Sequence, residues 1–340
     1  MRRGLERPAP VLVHACRNLL AAAGIVMLAC AHVAHAEKAP DLVDLKAKAE
    51  AFRDTPEKAD ALAELAKALW QTDPDAALRY GEQGLALSER LNHDRGRAAN
   101  LNAVGVVHYL RGDNERALPL LERSLALHRT TGNVNSAGRV AANIGHLHAA
   151  ASRHAEALAA YEQAAQLSAQ AGDDAGVATA KDGVGNLLQA QGRFREAIAA
   201  YEDALRWAEK AGDAQSRAIT LNNLANTQSE AGDGAAALKG YLAAAEAFER
   251  LDLPLYQALA YSNVAPILMA QGMSDQARTW LERALAIQRK AGKQTAYGVI
   301  YYGSTSPAMA EAADTLAAGG HHLNMLRVRA FPFPPSVAEF

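Results

Sequence analysis

Small residues recur along this chain at an interval far longer than any helix or strand period. Alanine stands at 77, 117, 157, 197, 237 and 277, forty residues apart each time. Twelve residues earlier come Leu65, Gly105, Gly145, Gly185, Ala225 and Ala265, nearly all glycine or alanine. Just before these are Glu64, Val104, Ile144, Val184, Leu224 and Val264, apolar in all but the first. Four residues after the alanine column stand Gly81, Leu121, Tyr161, Tyr201, Tyr241 and Leu281. Three further on are Gly84, Ser124, Ala164, Ala204, Ala244 and Ala284, all small. A fixed period of this length signals stacked units that share one continuous core, and such stacks are usually binding surfaces.

Each unit reads as two helices. Six repeats are expected at 58–97, 98–137, 138–177, 178–217, 218–257 and 258–297. Tight turns split them at Arg111-Gly112-Asp113, Gln191-Gly192-Arg193, Ala231-Gly232-Asp233 and Gln271-Gly272-Met273, with Asp73-Pro74 in the first repeat. A second turn closes them at Gly132-Asn133, Gly172-Asp173, Gly212-Asp213 and Gly292-Lys293, replaced once by Leu251-Asp252-Leu253-Pro254. Glycine past a helix end takes the left-handed conformation at low cost. Residues 37–53 predict a helix with Leu42, Leu45 and Ala49 on one stripe, so residues 37–57 are expected to cap the first repeat. Thr55-Pro56-Glu57 is a helix start, with threonine as N-cap and proline at the first helical position. The small columns have a packing reason, since two antiparallel helices approach closely only where side chains are short.

A small residue, alanine twelve on, an aromatic or leucine four on and a further small residue three on: this pattern resembles the tetratricopeptide repeat. The stretch Gln191-Gly192-Arg193-Phe194-Arg195-Glu196-Ala197, followed by Tyr201 and Ala204, carries the likeness most fully. The forty-residue length is similar to that of kinesin light chains and related peptide-binding adaptors. The pattern departs from the usual one in a degenerate first repeat and in lacking the proline that often ends the shorter repeat. The resemblance implies an all-α, right-handed superhelical solenoid of antiparallel helix pairs, with its concave face lined by the first helix of each repeat. It also implies where ligand contacts fall. Those positions are Asn102, Asn143, Asp182, Asn222, Asn223 and Asn263, then His146, Asn186 and Asn226, with Arg139 also facing inwards. Asparagine suits such a groove because its amide offers both donors and an acceptor to a peptide backbone. The same asparagines could instead bond to neighbouring turns and specify packing. The carboxylate-clamp form of the family needs several lysines or arginines here, and this groove has Arg139 and little else basic, so no clamp for a chain terminus is expected.

The rhythm stops near Gly292, and residues 298–340 read differently. Val299 to Tyr302 predicts a strand, Met309 to Ala318 a helix begun by Ser306-Pro307, and Leu326 to Phe333 a second strand. A crossover of this kind normally belongs to a parallel sheet. The runs from Gly298 to Pro307 and from Leu326 to Pro334 resemble the alpha subunit of 2-oxoacid:ferredoxin oxidoreductases, the 2-oxoglutarate type in particular. That resemblance would imply thiamine diphosphate and iron–sulfur clusters. A fragment this short cannot build its own core, and its strand edges would stay unpaired. It is expected not to be an independent domain, and to be either a fusion or frameshift product or a tail that docks on the last repeat.

The N-terminus changes the picture of where the chain works. Arg2, Arg3, Arg7 and Arg17 precede a charge-free apolar run from Leu19 to Val33, closed by Ala34-His35-Ala36. This is the pattern of a secretory signal peptide over 1–36, and the run falls short of the roughly 20 residues that span a bilayer. A lipoprotein site at Cys30, after Met27-Leu28-Ala29, is the weaker alternative, and Arg2-Arg3 alone is a faint twin-arginine hint. Cleavage after Ala36 would remove both cysteines, Cys16 and Cys30. Disulfides, thiol nucleophiles and cysteine-held clusters are then excluded. The remainder has 31 basic against 36 acidic side chains, with no surplus to neutralise phosphates, so nucleic acid is not expected as a partner.

Candidate chemistry is sparse. His146 and His148 are two apart and point away from each other on a helix, which makes them poor joint metal ligands. Gly303-Ser304-Thr305-Ser306 at a helix start could hold a phosphate only inside a complete sheet. No nucleophile, base and orienting triad is apparent, and no cofactor or metal is expected. The expected function is a secreted, periplasmic scaffold that binds a protein or peptide on its concave face without catalysis. Three alternatives stand beside it. One is the sensory half of a membrane signalling protein of histidine kinase or diguanylate cyclase type, although residues 297–340 hold no apolar run of 18. The second is an oxidoreductase subunit, on the strength of the tail alone. The third is a homo-oligomeric scaffold.

Overall fold

A computed structural model describes residues 42–51, 53–70, 72–291, 299–302 and 325–328. The expected signal segment, the turn at Gly292 and the helix over 309–318 lie outside the described residues. Thirteen helices are described: α1 (Leu42–Ala51), α2 (Pro56–Leu69), α3 (Pro74–Arg90), α4 (Asp94–Leu110), α5 (Asn114–Thr130), α6 (Val134–Ala150), α7 (His154–Gln170), α8 (Asp174–Ala190), α9 (Phe194–Lys210), α10 (Ala214–Glu230), α11 (Gly234–Arg250), α12 (Pro254–Ala270) and α13 (Ser274–Ala291). Even-numbered helices from α2 are the first of each pair and odd-numbered ones the second. The pairs begin at Asp94, Val134, Asp174, Ala214 and Pro254, a turn ahead of the frame set by the small columns.

Helix ends follow from the turn residues. From α3 onwards, each connection places one residue in the left-handed region and the next at the start of the following helix. Gly112, Gly132, Gly172, Gly212, Gly232 and Gly272 all have positive φ. At Gly112 the following residue, Asp113, sends its N–H back to His108 O at 2.9 Å, while its side chain accepts from Arg116 N. Asp173, Asp213 and Asp233 cap their helices in the same way, as do Thr55 and Asp73 before the prolines of α2 and α3. Three connections do without glycine: Asn92, Ser152 and Asp252 hold φ of 52°, 58° and 54°.

The chain divides into two compact units, one ending at Ala243 and the other beginning at Ala244. In the first, each helix packs on its partner, on the next pair, and first helix on first helix through α2, α4, α6, α8 and α10. The alanine column is the seam: Ala77, Ala117, Ala157 and Ala197 have no exposed surface. Helix α1 lies against α2, with Ala49 buried and Leu45 packed on the same core. The tyrosines explain the glycines. A Cβ added to Gly145 would stand 2.6 Å from Tyr161 Cδ1, and one on Gly183, in the next pair, 2.5 Å from Tyr161 Cε1. A Cβ on Gly185 would meet Tyr201 Cε1 at 2.6 Å. The rings of Tyr161 and Tyr201 therefore need bare backbone opposite them, whereas Ala225 stands at the equivalent position before Tyr241.

In the second unit α12 packs on α13, Tyr261 lies against Trp280 with ring centroids 4.9 Å apart, and Phe248 against Tyr256 at 5.3 Å. Two strands, β1 (Val299–Tyr302) and β2 (Met325–Val328), pair in parallel with Val299 opposite Met325. The second strand begins one residue before the expected Leu326, and the rest of its expected span lies outside the described residues.

Two substitutions check this packing. Ser152→Gly relieves a left-handed serine and should raise stability by about 0.5–1 kcal/mol, seen as a higher urea midpoint at unchanged slope. Gly185→Ala should lower stability by about 1–3 kcal/mol, because the new methyl group enters the Tyr201 ring.

Candidate binding surface

Burial leaves one open stripe on each first helix. On α6, Ala137, Gly138, Val140, Ala141, Ala142, Ile144 and Gly145 are buried, whereas Arg139 is exposed and Ser136 and Asn143 are half-buried. Positions 136, 139 and 143 share a side at helical spacing. The corresponding half-buried residues are Ala99 and Asn102 on α4, Thr179 and Asn186 on α8, and Ile219, Asn223 and Asn226 on α10. Neighbouring first helices touch in order, so these stripes lie side by side as one strip.

Hydrogen bonds tie the strip together from helix to helix. Asn143 Nδ2 donates to Asn102 Oδ1 at 3.1 Å, joining α6 to α4. Asn223 Nδ2 donates to both carboxylate oxygens of Asp182, at 3.4 and 3.3 Å, joining α10 to α8. Asp182 is 4% exposed and accepts two more bonds, from Thr220 Oγ1 at 2.9 Å and Asn186 Nδ2 at 2.9 Å. Burial raises its carboxyl from 3.8 to about 6, while the bonds from Thr220, Asn186 and Asn223 pull the other way. The donors that hold this carboxylate are neutral, and the adjacent Lys181 is paired with Asp203 on α9 at 3.1 Å.

A second set of bonds runs within each pair. Tyr161 OH and His146 Nδ1 share a bond of 2.7 Å. Tyr201 OH donates to Asn186 Oδ1 at 2.7 Å, and Tyr241 OH to Asn226 Oδ1 at 2.6 Å. The same geometry recurs because 146, 186 and 226 each precede their tyrosine by fifteen residues. Burial pushes the phenols of Tyr161 and Tyr201 well above their ordinary value, so both remain protonated. On the neighbouring α5, His128 is driven down to about 4, first by burial and then by the charge of Arg139.

The ten candidate residues thus fall into three groups. Asn102, Arg139, Asn143, Asn186, Asn223 and Asn226 lie on the open strip. His146, Asp182 and Asn222 lie beneath it, at 5%, 4% and 7% exposure, rather than facing outwards as expected, and Asp182 holds Asn186 and Asn223 in place. Asn263 is half-buried on α12, in the second unit. The tyrosine hydroxyls and Thr220 went unread in the sequence. A signal existed, because the polar residues His146, Asn186 and Asn226 accompany tyrosines, whereas Val106 and Pro266 stand at the same position in the repeats carrying Leu121 and Leu281.

A family model described as "Tetratricopeptide repeat" matches residues 94–170, 136–210, 176–250 and 216–290, and the chain belongs to this family. No curated protein matches the sequence. Among solved structures, BtubC (BKLC) from P. vanneervenii is similar at a TM-score of 0.57 and 18% identity, over 67% of this chain and 96% of that one. A Rap protein complexed with competence and sporulation factor matches at 0.57 and 12%, over 91% of this chain and 87% of that one. NprR in complex with its cognate peptide NprX matches at 0.51 and 17%, over 73% and 72%. At these identities the likeness is one of fold.

The buried carboxylate gives a signed pH prediction. Asp182 binds its proton more tightly in the folded chain, so its contribution to stability is present below about pH 4 and is lost as pH rises through about 6. His128 acts oppositely: held neutral when folded, its contribution grows as pH rises from about 4 to 6.5. Relative to the native chain, Asp182→Asn should therefore gain stability between pH 4 and 6, by on the order of 2–3 kcal/mol. Urea midpoints of both proteins across that range check it, and a constant difference between them would contradict it.

Proposed function

We propose that this chain is a non-catalytic scaffold that binds an extended peptide, or an extended segment of a protein, along the strip formed by α4, α6, α8 and α10. The observation that carries this reading is the strip itself. It is open to solvent, continuous across four helices, and lined by half-buried amides, of which Asn102 and Asn143 hold each other while tyrosine hydroxyls and Asp182 fix Asn186, Asn223 and Asn226 from below. Preorganised amides bind backbone groups without a large ordering cost. That Rap was solved with competence and sporulation factor and NprR with its cognate peptide supports the reading by analogy of fold. Export to the periplasm, directed by residues 1–36 and their cleavage after Ala36, is part of the proposal.

A second reading has one observation in its favour. A Pyrococcus horikoshii signal-transduction ATPase carrying a tetratricopeptide repeat sensor matches at a TM-score of 0.57 and 14% identity, and this chain spans 38% of its length. The chain would then be the sensory portion of a larger signalling protein, with the same strip as its input site.

Peptides selected on the full chain by phage display test the binding reading. Asn143→Ala and Asn223→Ala should each weaken the selected peptides by on the order of tenfold, while Glu202→Ala, exposed on the second helix α9, should leave them unchanged. Peptides indifferent to both asparagines would overturn the strip as the site. Export is checked by an intact mass from a periplasmic extract, expected to match residues 37–340.

A further inference from the structure

The strip is polar and carries little exposed charge, contributed by Arg139 on α6 and Arg95 on α4. The carboxylate of Asp182 lies buried beneath the surface and is fully engaged. On α4 and α8, Arg97 pairs with Asp94 on its own helix, and Lys181 with Asp203 on α9. Arg139 is exposed, and its hydrogen-bond partner among the described residues is the neutral Ser136 Oγ, at 3.0 Å. Its charge acts on its surroundings, holding the buried His128 ring neutral together with burial. One turn along the same stripe of α6 is Asn143, which is bonded to Asn102 on α4. Exposed Arg95 lies on the α4 stripe, at i, i+4 and i+7 with Ala99 and Asn102. A guanidinium bonded to a neutral serine hydroxyl thus stands one turn from a fixed pair of side-chain amides, with a second guanidinium on the adjoining stripe.

Resting on the groove reading above, we infer that Arg139 forms a subsite for an acidic side chain, an aspartate or glutamate of the bound segment, while Asn102 and Asn143 hold the adjoining peptide unit. A guanidinium meets a carboxylate with two parallel N–H···O bonds, which fixes orientation as well as charge. A side chain fits better than a chain terminus. The strip runs on past Arg139 both to α4 and to α8, so the bound chain has surface to follow in either direction, and the several basic groups that grip a terminus are missing.

The test uses the full-length protein and an addressed set of N-acetylated, C-amidated decapeptides, derived from the phage-selected sequence with each position varied through Asp, Glu, Asn, Gln and Lys. Arg139 is exposed, so Arg139→Gln and Arg139→Glu should melt like the native chain. One position should prefer Asp or Glu over Asn or Gln by on the order of tenfold, and the preference should weaken with added salt. Arg139→Gln should abolish that preference and Arg139→Glu should turn it towards lysine, while Asn143→Ala weakens every peptide alike. If peptides bind and respond to Asn143→Ala but show no acidic preference, or keep it in Arg139→Gln, the subsite is wrong and the groove stands. If no peptide binds, or none responds to either residue, both are wrong.

Discussion

The structure depends on how closely a first helix can approach the second helix of its own pair and the first helix of the next. That distance is set where the ring of Tyr161 meets Gly145 on its own pair and Gly183 on the following one. Neither glycine can carry a Cβ without entering the ring. Its own-pair half repeats at Gly185 and Tyr201, and in smaller form at Gly105 and Leu121, where the added atom would stand 2.9 Å from Leu121 Cδ2. Dense packing of this kind makes the spacing discrete, since a single methylene is felt throughout the seam. The forty-residue beat is the trace this constraint leaves in the chain.

From that spacing the polar strip follows. A tyrosine in this column delivers its hydroxyl fifteen residues back in the chain, to His146, Asn186 or Asn226. Asn186 is then oriented by its oxygen, so its amide nitrogen is committed to Asp182. Asp182 in turn takes Thr220 and Asn223 from α10 and ties two repeats together. A buried carboxylate held only by neutral donors is costly, and its worth lies in fixing which helix faces meet. Where tyrosine gives way to leucine, at Leu121, the residue fifteen before it is Val106, and this hook is absent.

Much of this was legible in the sequence, for reasons that differ by residue. The helix pairs and their seam were visible because Ala77 through Ala277 sit where nothing larger fits. The caps were visible because Thr55-Pro56 and the Gly-Asp turns have chemistry that serves few other purposes. Ser152 and Asn92 passed unread because a left-handed serine or asparagine is forced by the flanking helices and not by its own preference. Asp182 was read as a groove residue because a charged side chain ordinarily faces water, and its burial depends on donors from three positions spread over about 40 residues. The tyrosines were visible as one column of the beat; the role of their hydroxyls shows only once that column and the one fifteen residues before it are set side by side.

Function rests on whether the strip over α4, α6, α8 and α10 is a surface that another chain covers. Hydrogen exchange followed by mass spectrometry on the full-length protein, with and without a saturating selected peptide, measures this directly. Protection on binding should appear in peptides covering Asn102, Arg139, Asn143, Asn186 and Asn223, with the second helices α5, α7 and α9 unchanged. Protection confined to those second helices, or none on the first helices at full saturation, would contradict the account.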